Sequence, residues 1–264
     1  TNGTTPDATL QTTVTVAAAA ETPAQIITRI CGHYVATPTP DSFTDCSGKD
    51  LTGADLTSAN LHYTNLTGAN LTNAKLTNAT LDEAELTNAN LHYTNLTGAN
   101  LGGTNLTGAK LTNANLTNTN LTGANLTNAK LYYTNLTGAK LTNANLNQAD
   151  LTGVDLTGAN LSHSSVMPTD ITVAAESADG TPATWTTPTP PTGLHFIDCD
   201  PPSGTIFPHG ISYVTCDVSS IRNSISTTGS GTFTITVTAA PIGAEPPTTG
   251  SLGSLGSSFF GFGS

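Results

Sequence analysis

A leucine stands at every fifth position from Leu51 to Leu161 without interruption, which gives 23 leucines at one spacing. From Leu56 onward, the residue two places before each leucine is small, nearly always Ala. A period of five matches neither the 3.6 residues of a helical turn nor the two-residue period of a strand, so no straight element can bury both positions. The sequence therefore predicts a backbone that turns every five residues and stacks into a solenoid. The positions that depart from Ala are Thr64, Thr94, Thr104, Thr119, Thr134, Val154 and, before Val166, Ser164.

Written around its leucine, the unit is A-N-L-T-G or A-N-L-T-N. It resembles the pentapeptide-repeat family, whose motif is A-(D/N)-L-x-x. The resemblance implies a right-handed quadrilateral β-helix with one pentapeptide on each side and with Leu and the small residue pointing inward. The unit 44–48 also fits, with Cys46 in place of Leu, so residues 44–165 are predicted to form six coils of four units. At the ~4.8 Å spacing of stacked strands this is a rod about 29 Å long.

Residues 166–239 have a different pattern. Short alternating runs at 171–173, 213–216 and 232–237 are separated by Pro and Gly turns, which predicts a β-sandwich. The stretch C-D-P-P-S-G-T-I-F-P-H-G from Cys199 resembles the hyalin-repeat (HYR) domain, an immunoglobulin-like extracellular module, and P-T-D-I-T-V from Pro168 matches its opening strand. The run D-V-S-S-I-R-N after the second cysteine departs from that family, so this loop is expected to differ. The predicted fold class is all-β, a β-helix followed by an immunoglobulin-like sandwich.

Four cysteines fall into two close pairs, with 14 residues between Cys31 and Cys46 and 16 between Cys199 and Cys216. Local pairing within each pair is the favoured arrangement of disulfides. A metal site is the alternative, but there is no C-x-x-C and no histidine lies near a pair at metal-ligand spacing. Residues 25–43 are then a cap joined to the first coil by a disulfide. The chain begins at Thr1, which leads us to expect a removed signal peptide and a secreted, extracellular or cell-surface protein.

The two outer segments are low in complexity. Residues 1–24 contain one predicted strand from Leu10 to Ala18, with Leu10, Val14, Val16 and Ala18 on one face. Residues 240–264 form a Gly/Ser/Phe tail. The strand could add to an exposed sheet edge of a neighbouring copy, or it could fold back on its own cap, and the sequence leaves both open.

Composition and charge exclude several function classes. Only 9% of the chain is charged, with a net charge of −11, and no basic cluster or apolar run suggests a nucleic acid or a membrane span as partner. Phosphate-loop, nucleophile-elbow and H-E-x-x-H motifs are absent, so we predict no enzyme, cofactor or metal. Some pentapeptide-repeat proteins mimic DNA, but residues 49–165 carry only seven acids against five lysines. A duplex mimic of this length needs a charge of roughly −17.

The remaining expectation is a structural role. HYR modules are associated with adhesion and surface assembly, so the resemblance implies an extracellular building block that assembles with copies of itself, head to tail, into a filament. The alternative is a surface-binding solenoid, since Thr follows 16 of the 23 leucines and Thr ladders bind ice or polysaccharide, although His-Tyr, Tyr-Tyr and Asp-Glu units break them. Tyr93 and Tyr133, two coils apart on one side, are a candidate contact patch. His62 and His92 are one and a half coils apart and cannot form one site.

Overall fold

The backbone turns every five residues, as predicted. The computed structural model describes residues 20–176, 180–222 and 224–238. Each turn is closed by a hydrogen bond such as that from the Ala54 N–H to the Leu51 carbonyl, at 3.0 Å. The residue before that N–H has a positive φ, 67° at Gly53 and 58° at Asn73. Gly and Asn tolerate this left-handed conformation best, which explains why one of the two occupies the fifth position in most units.

Successive coils are joined by parallel backbone ladders with a shift of twenty residues. Asn95 bridges to Asn115 and Asn115 to Asn135, and the same step repeats on all four sides from Asp45 onward. The N–H of each inward leucine donates to the coil above it, as Leu111 does to the Lys130 carbonyl at 2.8 Å. Because a coil finds its backbone partners only in its neighbours, the first and last coils each leave one row of groups to be satisfied by something else.

The core is a column of leucines and small residues. Every repeat leucine from Leu51 to Leu161 is at most 1% exposed. Four of the buried threonines donate their hydroxyls to the carbonyl of a leucine 23 residues earlier, at 2.7 to 2.9 Å. Because the buried hydroxyl is satisfied, Thr can replace Ala in this position without leaving an unpaired polar group. These threonines are Thr94, Thr104, Thr119 and Thr134.

A helix, α1 (Pro23–Cys31), closes the N-terminal end of the β-helix. Its Ile26 and Ile27 are buried, and the leucines of the first coil are buried although no coil lies below them. Cys31, the last residue of α1, forms a disulfide with Cys46, which is itself fully buried in the first coil. The predicted Cys31–Cys46 disulfide is therefore present, and closing a loop of this size stabilises the folded state by about 3 kcal/mol in the chain-entropy model.

The helical character of the cap was not predicted, and the predicted boundary between residues 24 and 25 falls inside α1. The signal is present in the sequence. Thr22 caps the helix and forms a reciprocal capping box with Gln25, Pro23 occupies the first turn, and Gly32 ends the helix with φ 89°. α1 is nine residues long, and no helix in the described ranges is long and apolar enough to cross a bilayer.

The C-terminal module consists of two β-sheets. A four-stranded sheet has the order β1-β6-β5-β3, with β1 parallel to β6 and the other pairs antiparallel, and a two-stranded antiparallel sheet contains β2 and β4. Trp185 lies between them, with ring centroids 5.2 Å from Phe233 and 6.3 Å from Phe207. The Cys199–Cys216 disulfide joins β3 to β5. The strands are β1 (Ile171–Ala174), β2 (Thr181–Pro182), β3 (Leu194–Asp200), β4 (Ile206–Phe207), β5 (Gly210–Arg222) and β6 (Ile225–Thr238).

Candidate functional site

The outward threonine that follows each leucine forms a complete ladder on one side of the rod. We call this the threonine side, and it is the side whose inward leucines are Leu56, Leu76, Leu96, Leu116, Leu136 and Leu156. The seven units in which another residue follows the leucine all lie on the other three sides. The ladder is formed by Thr57, Thr77, Thr97, Thr117, Thr137 and Thr157.

Hydroxyls on the threonine side point the same way along much of the ladder. The Thr97 and Thr117 hydroxyls donate to the side-chain oxygens of Asn95 and Asn115 at 2.7 and 2.6 Å. The same bond recurs in the first and last units of this side, where Asp replaces Asn. The threonines of this side therefore repeat at the ~4.8 Å spacing of the coils, and four of the six hydroxyls are fixed by the same bond.

The two tyrosines of the candidate contact patch differ in their environment. Tyr93 and Tyr133 occupy the same position two coils apart, with Asn113 between them, and Tyr93 is 60% exposed. Tyr133 is half-buried, and the Arg222 guanidinium lies 5.4 Å from the centre of its ring. Tyr133 thus contacts the C-terminal module, and the neighbouring Tyr132 provides the exposed ring instead.

His62 and His92 lie on opposite sides of the rod. His62 contacts Asp82, with its Nδ1 2.6 Å from a carboxylate oxygen, whereas His92 Nδ1 lies 3.4 Å from the Thr112 carbonyl. In the described ranges no three His, Cys, Asp or Glu side chains converge in a way that could hold a metal ion.

Aspartates replace asparagine in the first units of the rod. The Thr52 hydroxyl and N–H donate to Asp50, and these bonds lower the pKa of that carboxyl below its ordinary value. The equivalent bonds from Thr57 lower the pKa of Asp55. Since Asn in the later coils accepts the same pair of bonds, the turn geometry itself is independent of charge.

The C-terminal module continues the hydrogen-bond ladder of the last coil. Leu151 and Leu161 donate their N–H groups to the Thr192 and Ser230 carbonyls, both at 2.8 Å. Leu156 donates to the Thr227 hydroxyl at 3.2 Å. On the fourth side, the Leu146 N–H donates to the Ser165 hydroxyl at 2.7 Å. All four inward leucines of the last coil therefore have an acceptor above them.

Glycines allow this close approach. A Cβ on Gly231 of β6 would lie 2.6 Å from the Leu161 carbonyl carbon and 2.8 Å from the Met167 sulfur. A Cβ on Gly193 would lie 2.4 Å from Thr152 backbone atoms. Any side chain at either position would push the module off the last coil.

A groove, which we call the end groove, lies between the last coils and the start of the C-terminal module. One part has a volume of about 650 Å³ and the other about 330 Å³, and both are lined by Pro168, Thr169 and Thr186. The first part reaches Asn143 and Asn147 on the coils. The second part continues to Ile171, Thr184 and Trp185.

The predicted assembly strand cannot be placed against these surfaces directly. Its residues Leu10, Val14, Val16 and Ala18 lie outside the described residues. The tail 240–264 lies outside them as well.

Comparison with known protein families identifies the repeats. The model for pentapeptide repeats matches in eight copies, over residues 42–73, 64–103, 104–143 and 129–166. These ranges agree with the coils, since the ladder that begins at Asp45 runs through all of them. A search of curated proteins found no significant match.

Several solved structures are similar to part of the chain. Rfr23, a pentapeptide repeat protein from the cyanobacterium Cyanothece 51142, is 30% identical over 42% of this chain and 85% of its own, with a TM-score of 0.18. A pentapeptide repeat protein from the Arabidopsis thaliana thylakoid lumen is 31% identical over 43% and 65%, with a TM-score of 0.20. Full-length QnrB1, a plasmid-mediated fluoroquinolone resistance protein, is 16% identical over 46% and 71%, with a TM-score of 0.23. These TM-scores are too low for the superpositions to carry an argument.

Proposed function

Residues 42–166 belong to the pentapeptide-repeat family, and from this premise we propose that the chain is an extracellular structural protein, the building block of a filament that assembles head to tail. Within the described residues the molecule has a repeated hydrogen-bond ladder and regular surfaces, and no group of His, Cys, Asp or Glu side chains that could hold a metal ion. One disulfide joins the N-terminal cap to the first coil, and the other joins β3 to β5 within the C-terminal module. Such bonds are common in proteins of oxidising compartments.

The observation that carries this proposal is that both ends of the β-helix are closed. α1 buries the first coil, and the C-terminal module binds the last one. Subunits therefore cannot join by stacking coil on coil, as open solenoid ends would. A head-to-tail contact needs an appended segment, and the alternating residues 10–18 are suited to adding a strand to a neighbour's sheet.

We further propose that residues 166–239 form a HYR-like immunoglobulin sandwich. The motif between Cys199 and Gly210 supports this, as do a disulfide between β3 and β5 and two sheets packed around Trp185. Such a module fits a role in adhesion or surface assembly, and it would place the chain outside the cell or on its surface.

Electron microscopy of the full chain tests the filament proposal. We expect the intact protein to form filaments and a variant lacking residues 1–19 to remain monomeric, because the deletion removes the linking strand but leaves α1 and both disulfides intact. A variant lacking residues 240–264 is the matched control. A full chain that stays monomeric at high concentration contradicts the proposal, and filaments from the truncated chain show that the strand folds on its own cap.

The threonine side supports a second candidate function, adhesion to an ordered surface such as ice or a polysaccharide. Its six threonines are unbroken, and four of them donate their hydroxyls to the Asp or Asn two residues earlier. Replacing Thr97 and Thr117 by Arg should abolish binding to ice or to insoluble polysaccharide, since the long charged side chains prevent flat contact. The same change at Thr122 and Thr142, on another side, is the control. Absence of binding by the wild-type chain would reject this function.

A further inference from the structure

We propose that the end groove is the acceptor site for residues 10–18 of a second copy of this chain. The inference rests on the proposed function and adds the place where the donated strand docks.

The end groove lies beside an open edge of the larger sheet. β1 is the outermost strand of this sheet, next to β6. Its Ala174 carbonyl accepts from the Thr181 hydroxyl at 3.3 Å, so an incoming strand would meet the part of the edge before Ala174. The groove begins at the residues that lead into β1 and continues along Ile171. A strand lying there would extend the sheet by one and would cover Trp185, which fills the space between the two sheets.

The lining of the groove combines apolar and charged groups. Met167, Ile171 and Trp185 contribute apolar surface. Asp170 contributes a carboxylate that accepts a backbone N–H of β6 at 2.6 Å and lies 3.6 Å from the His163 Nε2. Because this carboxylate already has partners within the chain, an uncharged segment can dock beside it.

The donated segment matches this lining. Residues 8–18 read A-T-L-Q-T-T-V-T-V-A-A and contain no charged residue. In a strand, Leu10, Val14 and Val16 fall on one face and could pack on the apolar wall, while the threonines face the polar wall or solvent. A strand of alternating side chains gains affinity from main-chain bonds and specificity from the pockets that its side chains fill.

Chain length favours another copy as the donor. Only four residues separate Ala18 from α1, so Ala18 reaches at most about 17 Å from Pro23. The groove begins at Asn143, four coils above Tyr63 on the same side, which is about 19 Å, and α1 lies below the first coil. Ala18 therefore cannot reach the groove of its own chain, so a strand that docks there over its full length, from residue 10 to residue 18, comes from a second copy.

The test uses two adjacent exposed threonines. Thr186 lines both parts of the end groove and also the neighbouring cavity next to Phe196, whereas Thr187 lines that cavity and not the end groove. In the full chain, Thr186→Arg should raise the critical concentration for filament formation about tenfold or more, because it places a long charged side chain in the acceptor site. Thr187→Arg, the matched control, should leave it unchanged, and circular dichroism checks that both variants fold.

A photo-crosslinking residue placed at Thr186 gives an independent readout. In filaments grown from a mixture of isotopically labelled and unlabelled protein, it should couple to residues 10–18 of another chain. Coupling to residues 240–264 or within one chain would overturn the inference, as would normal filament formation by Thr186→Arg. If the wild-type chain forms filaments but gives one of these results, only the assignment of the acceptor site is wrong. If the wild-type chain never forms filaments, the proposed function itself is wrong.

Discussion

The two ends of the β-helix are closed by different physical means. At the N-terminal end, α1 covers the leucines of the first coil with Ile26 and Ile27 and is held by a disulfide. At the C-terminal end, carbonyls and hydroxyls of the module accept the N–H groups of the last coil, and Gly231 permits the close approach. The first end is closed mainly by apolar burial and the second mainly by continuation of the hydrogen-bond ladder.

This difference shows that the end of a solenoid exposes two kinds of group that need a partner, apolar side chains and backbone N–H groups. Apolar side chains need cover, which any amphipathic element can provide without a fixed register. Backbone donors need acceptors at the coil spacing, which only a chain in register can provide. Substitutions at the two ends test this distinction, and a substitution in the middle of the rod provides the reference for their size.

The largest effect is expected from Leu111→Asp, in the middle of the rod. The side chain is fully buried, and a carboxylate there has no partner, so the protein should not fold. Thr112→Ser, one residue away and only half-buried, should be nearly silent. Circular dichroism and thermal melting compare them, and similar melting of both variants would show that the assignment of leucines to the interior is wrong.

Ile27→Ala tests the apolar closure of the N-terminal end. Loss of this fully buried side chain should lower the free energy of unfolding by about 2–5 kcal/mol, measured by denaturant titration. Thr28→Ala, at an exposed position on the same helix, is the control. An effect of Ile27→Ala no larger than that of the control would mean that α1 does not bury the first coil.

Gly231→Ala tests the close approach at the C-terminal end. The added methyl would clash with the Leu161 backbone, so we expect a loss of about 1–3 kcal/mol in the free energy of unfolding. Gly102→Thr is the contrasting change, because its Cβ meets no atom closer than 3.4 Å and most units carry Thr there. If Gly231→Ala were as stable as the wild type, the module would not lie in close contact with the last coil.

Thr227→Val removes a single acceptor at the C-terminal end while keeping the shape of the side chain. The Leu156 N–H would lose its partner, so the expected loss is about 1–3 kcal/mol, towards the lower end because the site is only partly buried. In this variant, the Leu156 amide should exchange its hydrogen faster than the Leu161 amide. Unchanged protection of Leu156 would contradict a role of Thr227 in closing the last coil.

Asp50→Asn gives the smallest expected effect and tests charge in the first coil. Bonds from Thr52 lower the pKa of Asp50 in the folded state, so the carboxylate stabilises the fold above its ordinary pKa. This contribution is lost as the pH falls below about 4 and through the folded-state pKa. Thermal melts at pH 7 and pH 3 should therefore show a slightly larger acid loss for the wild type than for Asp50→Asn. Equal acid losses would show that Asp50 does not contribute.

Much of the β-helix could be predicted because each constraint is local and repeated. The five-residue spacing from Leu51 to Leu161 fixes which side chains point inward, and Gly or Asn at the turn fixes where φ is positive. Cys46 could be assigned to the first coil by the same spacing. The helical form of the cap was not predicted, although the capping box between Thr22 and Gln25 is a local signal of the same kind.

The closure of the C-terminal end was decided by tertiary structure alone. Leu156 and Thr227 are 71 residues apart, and no local pattern connects them. The partners of Leu151 and Leu161 likewise come from the connection before β3 and from β6. A repeat determines its own interior because every unit meets an equivalent unit, whereas a contact that occurs once depends on how two unrelated segments approach each other. The sequence alone therefore determined the rod, and the packing of the module onto its last coil determined how the rod ends and where the end groove opens.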